Sequence, residues 1–312
     1  MRIGIIGAGS LGSAIGGTLA EAGNDVVLVN RNRAHVEAIN AHGLIMRTGE
    51  TDRPVRVTAM LPAEAQGACD LVVVLVKSFH TGEAVKAAMG LIGPDTAVMS
   101  LQNGLGHEDI LGTIVGPERV LAGKTYVGGL MIGPGHVIAG VKGKETIIGE
   151  CDGRLTPRLA AIGKAFNEAG LTTIVSDNIM GAMWDKLMVN IATGALSAIT
   201  RLPYGDLYAV PGMEAAAVSA VAEAMAVARA LGIRISIDNP RDAWVKAAAG
   251  LPPEFKASTL QSLEKGSVTE VDFINGAVLR GGAKAGVPTP VNAALVACVK
   301  GIERALFGAG EG

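Results

Sequence analysis

A glycine-rich hinge between a strand and a helix constrains this chain more than any other feature. Arg2-Ile3-Gly4-Ile5-Ile6 reads as a buried strand that runs straight into Gly7-Ala8-Gly9-Ser10-Leu11-Gly12. Ser13 to Ala22 then reads as an alanine-rich helix, and Val26-Val27-Leu28-Val29 as a second strand. Three glycines at that spacing signify little alone. Inside a strand–helix–strand unit of ~30 residues they specify a crossover able to hold a dinucleotide. Gly7 permits the tight turn, Gly9 lets the backbone approach a pyrophosphate, and Gly12 lets the helix pack on the strand. The helix N-terminus adds N–H groups and a positive dipole end for that pyrophosphate, making Gly7, Ala8, Gly9, Ser10, Leu11 and Gly12 cofactor-binding candidates.

The residue that closes the second strand selects the dinucleotide. A carboxylate there would bind the adenosine ribose hydroxyls of NAD, but the chain has Asn30 followed by Arg31, with Arg33 close by. A guanidinium can grip a 2′-phosphate through two N–H groups, and no carboxylate is present to repel it. The expected cofactor is therefore NADPH. Arg31 and Arg33 as solvated charges at the start of the next helix are the weaker alternative.

At 312 residues the chain suits two domains, each with its own core. The apolar fraction is 49% against 18% charged, and 43 glycines accompany only 3% aromatics, a composition suited to close helix packing and a sizeable subunit interface. A homodimer is expected. A net charge of −2 without a basic run gives no reason to expect nucleic acid or an anionic membrane as partner. Cys69, Cys151 and Cys298 are far apart and lack metal-ligand spacing, which fits a reducing compartment with no metal site. The first residues are explained by the strand and hinge rather than by a signal peptide. The nearest apolar stretch to a membrane span, Leu187 to Thr200, contains Asn190 and falls short of ~18 residues. A cytoplasmic protein is expected.

The first half alternates strands and helices, as in a doubly wound α/β sheet of Rossmann-like type. A helix is expected over Ala34 to Ala41, a polar excursion over Thr48 to Arg56, and a buried strand from Asp70 to Val76 ending at Lys77. A helix from Thr81 to Met89 and a strand from Ala97 to Leu101 follow, the latter ending at Gln102-Asn103-Gly104. Strands near Val120 to Val127, Val137 to Val141 and Glu145 to Ile148 are expected to add antiparallel at one edge, before a helix (Thr156 to Ala169) and a closing strand (Leu171 to Val175). From Asn178 onward helical periodicity takes over, in Met180 to Leu196, Met213 to Leu231, Asp242 to Ala248, Ser258 to Lys265 and Thr269 to Gly286. This divides the chain into an α/β domain, residues 1–177, and an all-α domain, residues 178–312, with a flexible tail from Gly308.

Ligands of open parallel sheets lie beyond the carboxyl ends of the strands, which singles out Ser10, Arg31, Lys77, Asn103 and Thr125. For Lys77, cofactor contact and a mere loop start are evenly balanced. Asn103 ends a buried strand at the expected crevice, although Asn-Gly is also a common turn. In Trp184-Asp185-Lys186-Leu187-Met188-Val189-Asn190, Lys186 and Asn190 are four apart and share one face of an apolar helix. There Lys186 could donate a proton to a ketone oxygen and stabilise the developing alkoxide; the alternative is an exposed lysine at a helix edge. Glu270 with Ser267 matches a capping box, and Ser258 could simply cap or pack. All five histidines, at 35, 42, 80, 107 and 136, fall in the first domain, so the helical domain has no histidine acid.

The chain resembles the ketopantoate reductase family over nearly its whole length. The segments that carry the resemblance are Gly7 to Gly12, Arg31 with Ala34 to Ile39, Val76-Lys77, Leu101 to Gly106, Trp184 to Asn190, and Ser258 to Gly276. The resemblance implies NADPH-dependent reduction of ketopantoate to pantoate, on the route to pantothenate. It implies Lys186 as the proton donor, and Glu270 as the acid that binds the substrate's hydroxyl region and aids catalysis. Asn190 and Ser258 become substrate contacts, and Arg31, Lys77 and Asn103 cofactor contacts, with Asn103 also near the substrate. The family often has a second substrate-binding asparagine where Gly194 stands, an arginine at Ser267 and an aspartate at Ser262. Losing that amide alters the recognition of a substrate hydroxyl. Two alternatives follow: a family member acting on a different 2-oxo acid, and a cofactor-binding sensor without turnover.

Overall fold

The computed structural model describes residues 1–308, so residues 309–312 of the expected flexible tail lie outside the described residues. The chain divides into two compact units, one made of residues 1–102 and 107–179, the other of residues 103–106 and 180 onward.

The first unit begins with β1 (Arg2–Ile6), α1 (Ser10–Glu21), β2 (Asp25–Val29), α2 (Arg33–His42), β3 (Leu44–Thr48), β4 (Thr51–Val55), β5 (Thr58–Met60) and β6 (Leu71–Val74). It continues through α3 (Thr81–Ala87), β7 (Ala97–Ser100), α4 (His107–Val115), β8 (Val120–Thr125), β9 (Gly128–Gly133), β10 (His136–Gly140), β11 (Thr146–Glu150), α5 (Pro157–Glu168) and β12 (Thr173–Val175). Eight strands form one sheet in the order β12-β11-β8-β7-β6-β1-β2-β5. All its neighbours run parallel except β8 and β11. Successive residues of the central strands feed opposite faces: Ile3, Ile5, Leu71 and Val73 pack in one core cluster, Ile6, Val72 and Val74 in the other. Burial on both faces is why these strands read as unbroken apolar runs. The unit is a Rossmann-like α/β domain.

Two expectations for this unit need correction. The polar excursion over Thr48 to Arg56 is mostly the hairpin β3–β4, part of a separate four-stranded sheet ordered β4-β3-β10-β9. Its outer residues are charged: Arg47 pairs with Asp52 across the hairpin and Arg53 with Glu21, so the strands imitate a loop in sequence. The strands expected together at one antiparallel edge also part company. β8 pairs parallel with β7 and antiparallel with β11, while β10 joins the small sheet, antiparallel to β9 and parallel to β3. The glycines of β9 concealed it in sequence. One of them, Gly129, lies so close to α1 that a β-carbon would collide with the Ser10 carbonyl.

The second unit is helical: α6 (Ile179–Thr200), whose first residue belongs to the first unit, then α7 (Tyr204–Ala209), α8 (Met213–Ala230), α9 (Pro240–Ala248), α10 (Ser258–Glu264), α11 (Asn275–Ala285) and α12 (Pro290–Phe307). The sequence pattern placed neither α4, α7 nor α12. α6 is apolar on most sides and buries Leu187, Met188, Ile191, Ala192 and Ala195, as befits a central helix. α11 starts at Asn275, later than the expected Thr269. The Thr269 N–H and hydroxyl both donate to the Glu303 carboxylate, at 2.7 and 2.6 Å, and residues 271–273 form a single 3₁₀ turn. Among the described residues no helix is long and apolar enough to cross a membrane.

Candidate active site

The hinge in the first unit shows a physical reason for each glycine. Gly7 has φ +98°, and a β-carbon there would lie 2.6 Å from the Val76 amide nitrogen; one on Gly12 would collide with the Gly7 carbonyl. A β-carbon on Gly9 would meet nothing within 4 Å. The protein's own backbone therefore fills the space at Gly7 and Gly12, and the space at Gly9 stands open, as a closely approaching phosphate requires. Gly9 caps α1 without a side-chain hydrogen bond, and the first turn carries no acid, so neither the cap nor the first turn neutralises this helix end. These features fit a dinucleotide pyrophosphate.

Hydrogen bonds tie the strand ends to the hinge. Asn30 Nδ2 donates to the Ala8 carbonyl at 2.6 Å, and Asn30 Oδ1 accepts from the Asn32 N–H at 2.9 Å. A carboxylate at position 30 could not make the first of these bonds. Arg31 is exposed beyond β2, with Nη1 3.5 Å from His80 Nε2. Lys77 is also exposed and begins the 3₁₀ turn Ser78–His80 beyond β6. Since β6, β1 and β2 are neighbours, Lys77, the hinge and Arg31 lie at the carboxyl ends of adjacent strands. Ser10 Oγ accepts from the Met131 N–H at 3.1 Å, so this hydroxyl also anchors β9. The Thr125 hydroxyl is engaged with Thr146 at 2.8 Å and with the Val127 N–H.

Two polar residues here were assigned no role from sequence. His35 is 2% exposed and accepts the Gly135 N–H at Nδ1 (2.9 Å), which leaves Nε2 to donate to Ser13 Oγ (3.3 Å); that hydroxyl then donates to the Ala8 carbonyl (3.0 Å). Burial lowers the pKa of His35 and keeps the imidazole neutral, as this chain of bonds requires. Gln102 donates through Nε2 to the Val76 carbonyl at 2.8 Å and to Thr81 Oγ1 at 2.9 Å, bracketing Lys77. Its place at a strand end was the one available signal.

In the second unit, Lys186 and Asn103 meet: Nζ donates to Oδ1 at 2.9 Å. Lys186 is half-buried rather than an exposed edge lysine, and Asn190, one turn further along α6, is half-buried too. The neighbouring Asp185 has a different task, accepting from the Ser236 N–H and hydroxyl and from the Ile237 N–H. A further turn along α6, a β-carbon on Gly194 would lie 3.0 Å from Thr259 Oγ1, so α10 packs closely there. Ser258 opens α10 and is exposed. Glu270 is half-buried just before the 271–273 turn, and its carbonyl accepts the Phe273 and Ile274 N–H groups. No helix starts at Ser267, so the capping-box alternative for Glu270 fails. Phe273 in turn accepts the Leu105 N–H at 2.9 Å, which joins the Glu270 turn to the Asn103 segment.

A family model described as ketopantoate reductase PanE/ApbA matches residues 3–153, and its C-terminal counterpart matches residues 178–303. The chain belongs to the ketopantoate reductase family. A 2-dehydropantoate 2-reductase of Pyrococcus horikoshii is 34% identical over 305 residues, covering 97% of this chain and 98% of the relative. The crystal structure of a PanE/ApbA family ketopantoate reductase from Ralstonia eutropha superposes with a TM-score of 0.88 at 39% identity, covering 98% of this chain and 99% of the other. A D-mandelate dehydrogenase in ternary complex with NADH and anilino(oxo)acetate also reaches 0.88, at 28% identity and the same coverage. Ketopantoate reductases are oxidoreductases, so this chain is an enzyme rather than a sensor.

Proposed function

We propose that this enzyme reduces 2-dehydropantoate to pantoate with NADPH. The Lys186–Asn103 hydrogen bond carries the proposal, because it joins the one lysine on an apolar helix face to an amide that can hold its ammonium in a set direction. In this reading residues 1–177 hold the cofactor. The Gly7 to Gly12 hinge takes the pyrophosphate, Arg31 takes the 2′-phosphate, and Lys77 and Asn103 are further cofactor contacts. Residues 178–312 serve catalysis and dimerisation, aided by Asn103. When bound, the nicotinamide supplies a hydride to the C2 carbonyl. Lys186 delivers a proton from Nζ to the carbonyl oxygen, and its charge stabilises the oxygen as negative charge develops. Asn103 Oδ1 accepts from Lys186 Nζ and so sets the direction of the ammonium. Asn190 and Ser258 bind the acid, and Glu270 holds its hydroxyl region. The three free thiols support a cytoplasmic location, and the apolar composition supports a homodimer.

Gly194 favours one second reading, a different 2-oxo acid. With a glycine at position 194, where a β-carbon would meet only Thr259 Oγ1 at 3.0 Å, a substrate hydroxyl finds no amide partner there. The D-mandelate dehydrogenase complex holds anilino(oxo)acetate, an acid without such a hydroxyl. Steady-state assays with NADPH and NADH across 2-dehydropantoate and branched, aromatic and linear 2-oxo acids separate the two. The highest kcat/KM is expected for 2-dehydropantoate with NADPH. A clear preference for an aromatic acid establishes the second reading, and equal efficiency with NADH removes the role given to Arg31.

A further inference from the structure

We infer that Arg280 is a positioning residue that holds Asn103 on Lys186. Arg280 lies on α11, far in sequence from both. Its Nη1 donates to the Asp272 carbonyl at 2.7 Å and its Nη2 to the Leu105 carbonyl at 3.2 Å, with the guanidinium 5.6 Å from the centre of the Phe273 ring. The Leu105 N–H donates to the Phe273 carbonyl at 2.9 Å. Gly104 has φ +92°, and a β-carbon there would collide with that same carbonyl. Leu105 is thereby fastened through its N–H to Phe273 and through its carbonyl to Arg280, with Gly104 packed against the Phe273 carbonyl, and Asn103 directly precedes this anchored pair.

The fastening point is itself held firmly. The Glu303 carboxylate accepts both Thr269 donors, and Lys300 bridges Glu303 and Asp272 at 3.0 and 2.9 Å. Glu270 lies within this braced stretch. Arg280 thus joins the two segments that carry Asn103 and Glu270, using a planar pair of donors that a lysine cannot reproduce. Removing it frees the Leu105 carbonyl and lets Asn103 drift from the ammonium, and a displacement of ~1 Å can cost up to ~100-fold in rate.

The inference rests on Lys186 as the proton donor, and a double-mutant cycle tests it. Arg280→Ala, Asn103→Ala and the double variant are assayed for kcat and KM with NADPH and the best 2-oxo acid of the panel. Arg280→Ala is expected to lower kcat by about 10- to 100-fold, with the KM for NADPH unchanged. In the Asn103→Ala background the same change is expected to cost under about twofold, since the group it positions is gone. Arg280→Lys should recover part of kcat. An equal cost in both backgrounds, or wild-type kcat in Arg280→Ala, overturns the inference. If circular dichroism shows that Arg280→Ala is unfolded, Arg280→Gln and Arg280→Lys carry the cycle under the same criteria. A Lys186→Ala variant with wild-type turnover defeats the proton-donor reading instead, whatever the cycle gives.

Discussion

In the glycine hinge, positions 7–12 are contiguous, and each constraint comes from backbone atoms of the hinge itself or of an adjacent strand end. Around Lys186 the fixing groups come from positions 103, 105, 272, 273 and 280, brought together by hydrogen bonds across long stretches of chain. A site of the first kind is sensitive to small changes within its own motif. One of the second kind is sensitive to changes far from the reacting atoms.

The largest effect that sharpens this contrast is expected from Lys186→Ala. Loss of a general acid should lower kcat by about 100- to 10,000-fold, while NADPH affinity, measured by fluorescence titration, stays near wild type. A parallel loss of NADPH binding would erase the division between the two sites. At the strand end beside the hinge, Arg31→Ala should raise the KM for NADPH by about tenfold or more, given the ~1.5–3 kcal/mol of a charged hydrogen bond, and leave that for NADH unchanged. The glycines then separate by geometry. Gly12→Ala drives a methyl into the Gly7 carbonyl and should destabilise the fold by about 1–3 kcal/mol, whereas Gly9→Ala should leave the melting temperature alone and weaken NADPH binding only. Equal melting temperatures for the two would contradict the packing described at Gly12.

The smallest effect concerns His35. Burial depresses its pKa in the folded state, so its contribution to stability is present above the ordinary imidazole value of 6.5 and is lost as pH falls through the depressed one. Once protonated, Nδ1 can no longer accept the Gly135 N–H. Melting temperature should therefore drop by about a few degrees on acidification below pH 6.5, and His35→Asn should flatten that slope. A wild-type curve flat over the same range would show that His35 titrates alike in both states.

Legibility from sequence followed the same division. Gly7, Gly9 and Gly12 could each be given a reason because they form one short motif between a strand and a helix, although the backbone that excludes a β-carbon at Gly7 belongs to Val76 on an adjacent strand end. The core strands were readable because burial on both faces leaves long apolar runs. The hairpin β3–β4 was not: its polar outer face and its charge pairs with Asp52 and Glu21 resemble a loop. The capping box at Ser267 and Glu270 was locally sound, yet Thr269 gives its donors to Glu303 on a different helix. His35, Gln102 and Arg280 were given no role, because the groups they hold are backbone atoms elsewhere in the chain.

The sequence by itself determined the glycine hinge, the alternation of strands and helices in the first unit and the i, i+4 placing of Lys186 and Asn190 on one helix, since all three depend on local backbone geometry and side-chain period. Only the tertiary structure decided that Asn103 is grouped with the helical unit and accepts a hydrogen bond from Lys186, and that Arg280 and Glu303 hold the segments around that pair. Those outcomes depend on which donor reaches which carbonyl once the chain has packed, and spacing along the chain carries no record of that.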